Sequence, residues 1–232
     1  MALLEKARPG REDGGYTRLL GDAQLGGLIS QIHATSITAG TELERLICEK
    51  HTNLMSAEMF SSFINGRLNN GTYLIPKKLI KSALGPSLST KAEPDFVVIV
   101  IVDKKAYVTE LKDGDTFDTK KASGEVLSCR DFAARFHSYL VRENLHFEVS
   151  IRVCCFNQDS REAIVKGFKN RIRKEEAWTG RDFCRMIGIS YEAIVEQRRV
   201  DQLRNLEFFV SEILRNDRLK DMIYSIVQGA RA

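Results

Sequence analysis

The chain has 232 residues, 43% of them hydrophobic and 28% charged, with four prolines, sixteen glycines and a formal net charge of +4. That balance fits one compact domain, alone or with a helical annex, and excludes collagen-like, low-complexity and wholly disordered polymers. The longest apolar run, residues 96–102, falls well short of the roughly 18 to 20 residues that cross a bilayer, and charge enters at Glu5, so neither a membrane span nor a secretory signal is predicted and the expected location is the cytoplasm.

Apolar residues between 16 and 53 recur at helical spacing, with Leu25, Leu28, Ile29 and Ile32 in one segment and Leu43, Leu46 and Ile47 in the next, which predicts two helices. Their break is placed at 38–41, where Gly40 turns the chain and Thr41 caps the second helix. Residues 56–69 read as a short helix closed by Asn69-Asn70-Gly71. Residues 76–84 read as a basic amphipathic turn ending at Gly85-Pro86, with a loop from there to Pro94.

The period then changes. Residues 95–102 form a β-branched run, Asp103-Lys104-Lys105 suits a tight turn, and 106–112 continue as a second strand, which makes a hairpin. Residues 121–143 look helical through Val126, Leu127, Phe132, Phe136, Leu140 and Val141, and 147–156 read as a third strand. A strand, helix, strand crossover predicts that the strands at 106–112 and 147–156 run parallel. Residues 160–228 are read as helical, interrupted at Thr179-Gly180 and at 188–190, with Trp178 a core anchor at a helix end and Thr179 the cap of the next helix. The predicted class is α/β, a mixed central sheet flanked by helices with a helical C-terminal region.

The first predicted strand opens at Pro94-Asp95 and the second ends at Glu110-Leu111-Lys112. In a hairpin the start of one strand lies beside the end of the next, so Asp95 and Glu110 converge and can share a cation. Side chains alternate along a strand, so Lys112 joins Glu110 on one face while Leu111 points away. Hard carboxylate oxygens suit Mg²⁺, which makes a water more acidic and offsets charge growing on a phosphate. The Lys112 ammonium can orient the attacking water or stabilise phosphorus-bound oxygens, and takes up a proton if its pKa is depressed. The plain alternative is that acids often sit at strand ends and lysine often solvates a sheet edge. Other metals are not indicated: Cys48, Cys129, Cys154, Cys155 and Cys184 form no CxxC pair, and the four histidines are scattered.

Pro94-Asp95 with Glu110-Leu111-Lys112, in that strand and helix context, resembles the PD-(D/E)XK nuclease superfamily, particularly type II restriction endonucleases. The resemblance implies a restriction-endonuclease-like fold within a single nuclease domain, with a catalytic core at about 35–156 and a helical region at 160–232. It also implies a further glutamate from a helix ahead of the core strands. Gly40-Thr41-Glu42-Leu43-Glu44-Arg45 is similar to the Gly-x-x-x-Glu-Arg opening of archaeal Holliday-junction resolvases of the same superfamily. Glu44 is the best match and Glu42 the rival; the alternative is that both are solvent-facing helix acids. On this resemblance Asp95, Glu110 and Glu44 hold Mg²⁺, for which Mn²⁺ substitutes, and Lys112 assists the attacking water.

The positive surplus lies beyond residue 160, which suits phosphate contact or an ordinary solvated surface. Candidate DNA-binding residues are Lys77 and Lys78 before the core, Lys120 and Lys121 near the start of the helix at 121–143, and Arg171 and Arg173 after the third strand. Asp118 can cap that helix instead of binding metal. The last helix carries a broad apolar stripe through Leu203, Leu206, Phe209, Val210, Ile213 and Leu214, for the core or for a second subunit. The expected function is Mg²⁺-dependent, sequence-specific hydrolysis of double-stranded DNA by a homodimer, with a companion DNA methyltransferase implied by the resemblance. Its rivals are a structure-selective nuclease, such as a junction resolvase or repair enzyme, and a non-catalytic DNA-binding module.

Overall fold

A computed structural model describes residues 2–84, 88, 93–114 and 122–229. Its contacts divide the chain into two compact units, Met1–Leu43 with Glu192–Ala232, and Glu44–Tyr191. Among the described residues no helix is long and apolar enough to cross a membrane.

The unit Glu44–Tyr191 is built on a five-stranded sheet in the order β1-β2-β3-β4-β5, with β1 Thr72–Pro76, β2 Phe96–Val100, β3 Lys105–Lys112, β4 Glu148–Cys155 and β5 Ala177–Thr179. The pairs β1-β2 and β2-β3 are antiparallel, and β3-β4 and β4-β5 are parallel. This is the mixed, helix-flanked sheet that the sequence predicts. Every side chain of the β2 run Phe-Val-Val-Ile-Val is buried, which explains why it lacks polar alternation: helices or loops cover both faces.

The helix Ala122–Arg142 supplies the crossover from β3 to β4. Its Val126, Cys129, Phe132, Ala133, Phe136 and Leu140 recur every three or four residues and join one buried cluster with Val97, Ile99, Ala106, Val108, Ile151 and Val153. Parity along the strands then places Asp95, Glu110 and Lys112 on the same helix-covered face. The opposite face carries Phe96, Tyr107 and Trp178, with Phe183 packed on both Phe96 and Trp178.

Several predicted elements shift. The strand β1, absent from the sequence reading, pairs Thr72 to Pro76 with Val100 to Phe96; it is short and ends in proline, and it owes its extended state to that pairing. The helix at 56–69 is confined to Ala57–Ile64, capped by Ser56 and ended at Asn65 and Gly66, whose φ is +65°. The predicted break at 38–41 reduces to Thr38, because the helix Ala39–Lys50 already contains Gly40 and Thr41. Trp178 lies in β5 rather than at a helix end, buried as expected. Thr179 does cap the helix Gly180–Ile187, in a reciprocal box with Asp182.

The unit Met1–Leu43 with Glu192–Ala232 is helical, with Gly15–Leu20, Ala23–Ile37, Tyr191–Arg215 and Asp217–Gly229 as its main helices. Asp22 caps Ala23–Ile37 through the Leu25 amide and accepts from Asn216, which ties the two sequence-distant pieces together. Asn205 does the same at the N-terminus, accepting from the Leu4 amide and donating to the Ala2 carbonyl.

Candidate active site

The sheet register brings the motif residues together. Pro76 pairs with Phe96 and Phe96 with Thr109, so one row further on Lys77, Asp95 and Glu110 follow one another across three strand ends. Asp95 is buried, and its carboxylate is shared between two donors: the Leu111 amide gives to Oδ2 at 2.9 Å and Lys77 Nζ to Oδ1 at 2.8 Å. Lys112 Nζ donates to Glu110 Oε1 at 2.7 Å, two positions along the same face.

The crossover helix adds two groups. Glu125, in its first turn, reaches Lys112 Nζ with Oε1 at 3.0 Å, and Cys129, one turn later, directs its thiol at Glu110 Oε2 at 4.0 Å. Glu125 falls within the helix predicted at 121–143. Its spacing from a predicted helix start was visible, but its reach to Lys112 depends on how that helix lies over β3.

Glu44 is the third acid. Burial and then the negative charge of Asp95 raise its pKa, with Glu110 adding to the effect and Lys77 opposing it. Glu44 is therefore electrostatically coupled to the strand-end pair. Glu110 is likewise pushed up, first by burial and then by Asp95, with Lys112 pulling the other way. Burial works against the charge of Lys112, but Glu110 and Glu125 outweigh it and hold the ammonium above the ordinary lysine range. Proton uptake by Lys112 is conditional on a depressed pKa, and its carboxylate neighbours shift it the other way. Burial, followed by Glu110, raises the Cys129 thiol to about 12, so it stays protonated.

Among the described residues no three His, Cys, Asp or Glu side chains close on a single point as a ready-made metal cage. The donor chemistry nevertheless fits a hard dication. Three carboxylates influence one another, the pKa of two of them is raised by burial and by the others' charge, and the neighbouring thiol is kept neutral. With Glu125 the group sets four carboxylates against the two ammoniums of Lys77 and Lys112, and a further positive charge would relieve that imbalance.

The remaining candidates are dispersed. Lys78 is exposed on the short helix Lys77–Leu79. Arg173 donates its backbone amide to the buried Glu176 at 2.7 Å, and the Arg171 carbonyl accepts from Arg130, so both belong to the brace that orders the approach to β5. Lys120 and Lys121, with Asp118, lie outside the described residues.

One curated relative, the type II restriction enzyme HhaII of Haemophilus parahaemolyticus, is 35% identical over 220 residues, which span 92% of this chain and 95% of the relative. No protein-family model matches the chain, and no solved structure matches it.

Proposed function

The chain belongs to the family of the type II restriction enzyme HhaII, and from that membership we propose that it cuts double-stranded DNA at a specific sequence by Mg²⁺-dependent hydrolysis of the phosphodiester bond. As a restriction enzyme it is a site-specific deoxyribonuclease. The observation that carries the chemical reading is the convergence of Asp95, Glu110 and Lys112 at adjoining strand ends, with the Lys112 ammonium 2.7 Å from Glu110. That arrangement supports a PD-(D/E)XK reading of the motif.

In this reading Asp95, Glu110 and Glu44 hold the dication. Mg²⁺, or Mn²⁺ in its place, supplies charge neutralisation at the scissile phosphate and a more acidic water. Asp95 is oriented by the Leu111 amide, which fixes Oδ2, while its other oxygen accepts from Lys77. Lys112 stays protonated, steadies negative charge building on the phosphate oxygens, and orients the attacking water by hydrogen bonding rather than by taking its proton. Glu125 holds that ammonium in place from the other side.

A homodimer suits a palindromic target, each subunit cutting one strand. Supporting it, Leu203, Leu206 and Leu214 on the helix Tyr191–Arg215 and Met222, Tyr224 and Ile226 on Asp217–Gly229 are exposed. The enzyme would share the cytoplasm with a methyltransferase that protects host DNA.

The test is digestion of phage DNA with Mg²⁺, followed by sequencing of fragment ends, with Asp95→Ala and Lys112→Ala beside the unaltered chain. Discrete fragments are expected from the unaltered chain, and loss of cutting with retained DNA affinity from both variants. Undiminished cleavage by either variant would reject its assigned role, and cutting confined to a four-way junction would favour a junction resolvase.

A further inference from the structure

Lys77 is a candidate DNA-binding residue lying before the core in sequence. The β1-β2 register carries it to Asp95, one row beyond the Pro76 and Phe96 pair. Its ammonium occupies Oδ1, the one Asp95 oxygen that the Leu111 amide does not hold. The Asp95 side chain is 8% exposed and that of Lys77 48%, so the acid is fixed in the interior while the lysine approaches from solvent on a flexible four-carbon stem. Lys77 also lies within the field of both Glu44 and Glu110. One ammonium is therefore bound to Asp95 and lies within the field of the other two carboxylates proposed to hold the dication.

Two cations cannot both sit close to a single carboxylate oxygen in a half-buried site without strong repulsion. Lys112 meets the same conflict at Glu110, but Glu125 retains it when Glu110 turns to another partner. For Lys77 the ion-pair partner among the described residues is Asp95.

We propose that Lys77 is a resident counter-ion of the active site, neutralising Asp95 in the metal-free protein, leaving Oδ1 when a divalent cation binds there, and then pairing with a phosphate of the bound DNA. The inference rests on the reading of Asp95 as a metal ligand. It makes cation binding and DNA binding cooperative, because the dication releases the charge that the phosphate takes up.

The experiment titrates Ca²⁺ alone into the full-length chain by calorimetry, using the unaltered protein, Lys77→Met, Lys77→Arg, Asp95→Asn and, as a control for distant charge, Lys81→Met. Lys77→Met is expected to bind Ca²⁺ about tenfold more tightly than the unaltered chain, while Lys77→Arg and Lys81→Met stay within about twofold of it. In a second readout, fluorescence anisotropy with sheared phage DNA, Ca²⁺ should strengthen DNA binding less in Lys77→Met than in the unaltered chain, and the two should match in EDTA. Unchanged or weaker Ca²⁺ affinity in Lys77→Met, with binding abolished in Asp95→Asn, overturns the role of Lys77 and leaves the metal reading standing. Ca²⁺ binding that survives unaltered in Asp95→Asn overturns the metal reading and this inference with it.

Discussion

Glu44→Gln should stabilise the protein while impairing its chemistry. The Glu44 carboxylate is partly buried, repelled by Asp95 and Glu110, and relieved only in part by Lys77. Two like charges against one opposite charge leave a net repulsion, to which burial adds. At a site still reached by solvent these effects together amount to about 1 kcal/mol. The sign follows from linkage. The folded chain binds the Glu44 proton more tightly than the unfolded chain, so this position favours folding least at neutral pH and recovers as pH falls into the ordinary glutamate range. The amide removes that penalty. Scanning calorimetry at pH 7 without divalent ions should show the apparent Tm of Glu44→Gln raised by about 2–4 °C, a gain that closes below about pH 4. Adding Ca²⁺ should narrow the difference by favouring the native acid, and the cleavage rate with Mg²⁺ should fall. An unchanged or lowered Tm at pH 7 would refute the account of these acids as an electrostatically strained group.

Glu125→Gln should lower the cleavage rate about tenfold with little change in DNA affinity, because it frees the Lys112 ammonium from its 3.0 Å partner without altering shape; single-turnover rates beside anisotropy measurements check both parts. Asp182 is held down to about 2, chiefly by Arg161 and then by the Thr179 amide and hydroxyl, against the effect of burial. Asp182→Asn should therefore cost about 2 kcal/mol at pH 7, with the difference present above the ordinary aspartate value and disappearing as pH falls through about 2, as measured by denaturant unfolding across pH. Gly180→Ala should destabilise by about 2–3 kcal/mol, since a Cβ there would come within 2.3 Å of the Phe156 carbonyl oxygen and 2.7 Å of the Tyr191 ring; a stability equal to that of the unaltered chain would show that the surroundings yield freely.

The hairpin and its acids were legible because the information lies within a short stretch of chain. A β-branched run, a tight turn and strand parity are enough to put Asp95 beside Glu110 and Lys112 beyond it. The crossover helix was readable too: Val126, Phe132, Phe136 and Leu140 form its buried face as the spacing suggests, whereas Leu127 and Val141 are exposed. The brief strands were not. The three residues of β5 and the five of β1 carry too little period to distinguish them from a helix end or a turn, and each owes its state to pairing with a distant neighbour.

The same divide runs through the site. Glu42 and Glu44 differ by roughly 200° around a helix, yet which one answers to Asp95 depends on the direction from which that helix meets the sheet. Glu125 reaches Lys112 because of how the crossover helix packs, and Lys77 reaches Asp95 through a strand that the linear pattern did not reveal. Local spacing determined which groups could do the chemistry. Long-range pairing, whose register is set by burial across elements far apart in the chain, decided which charges meet and which lysine stands on which acid.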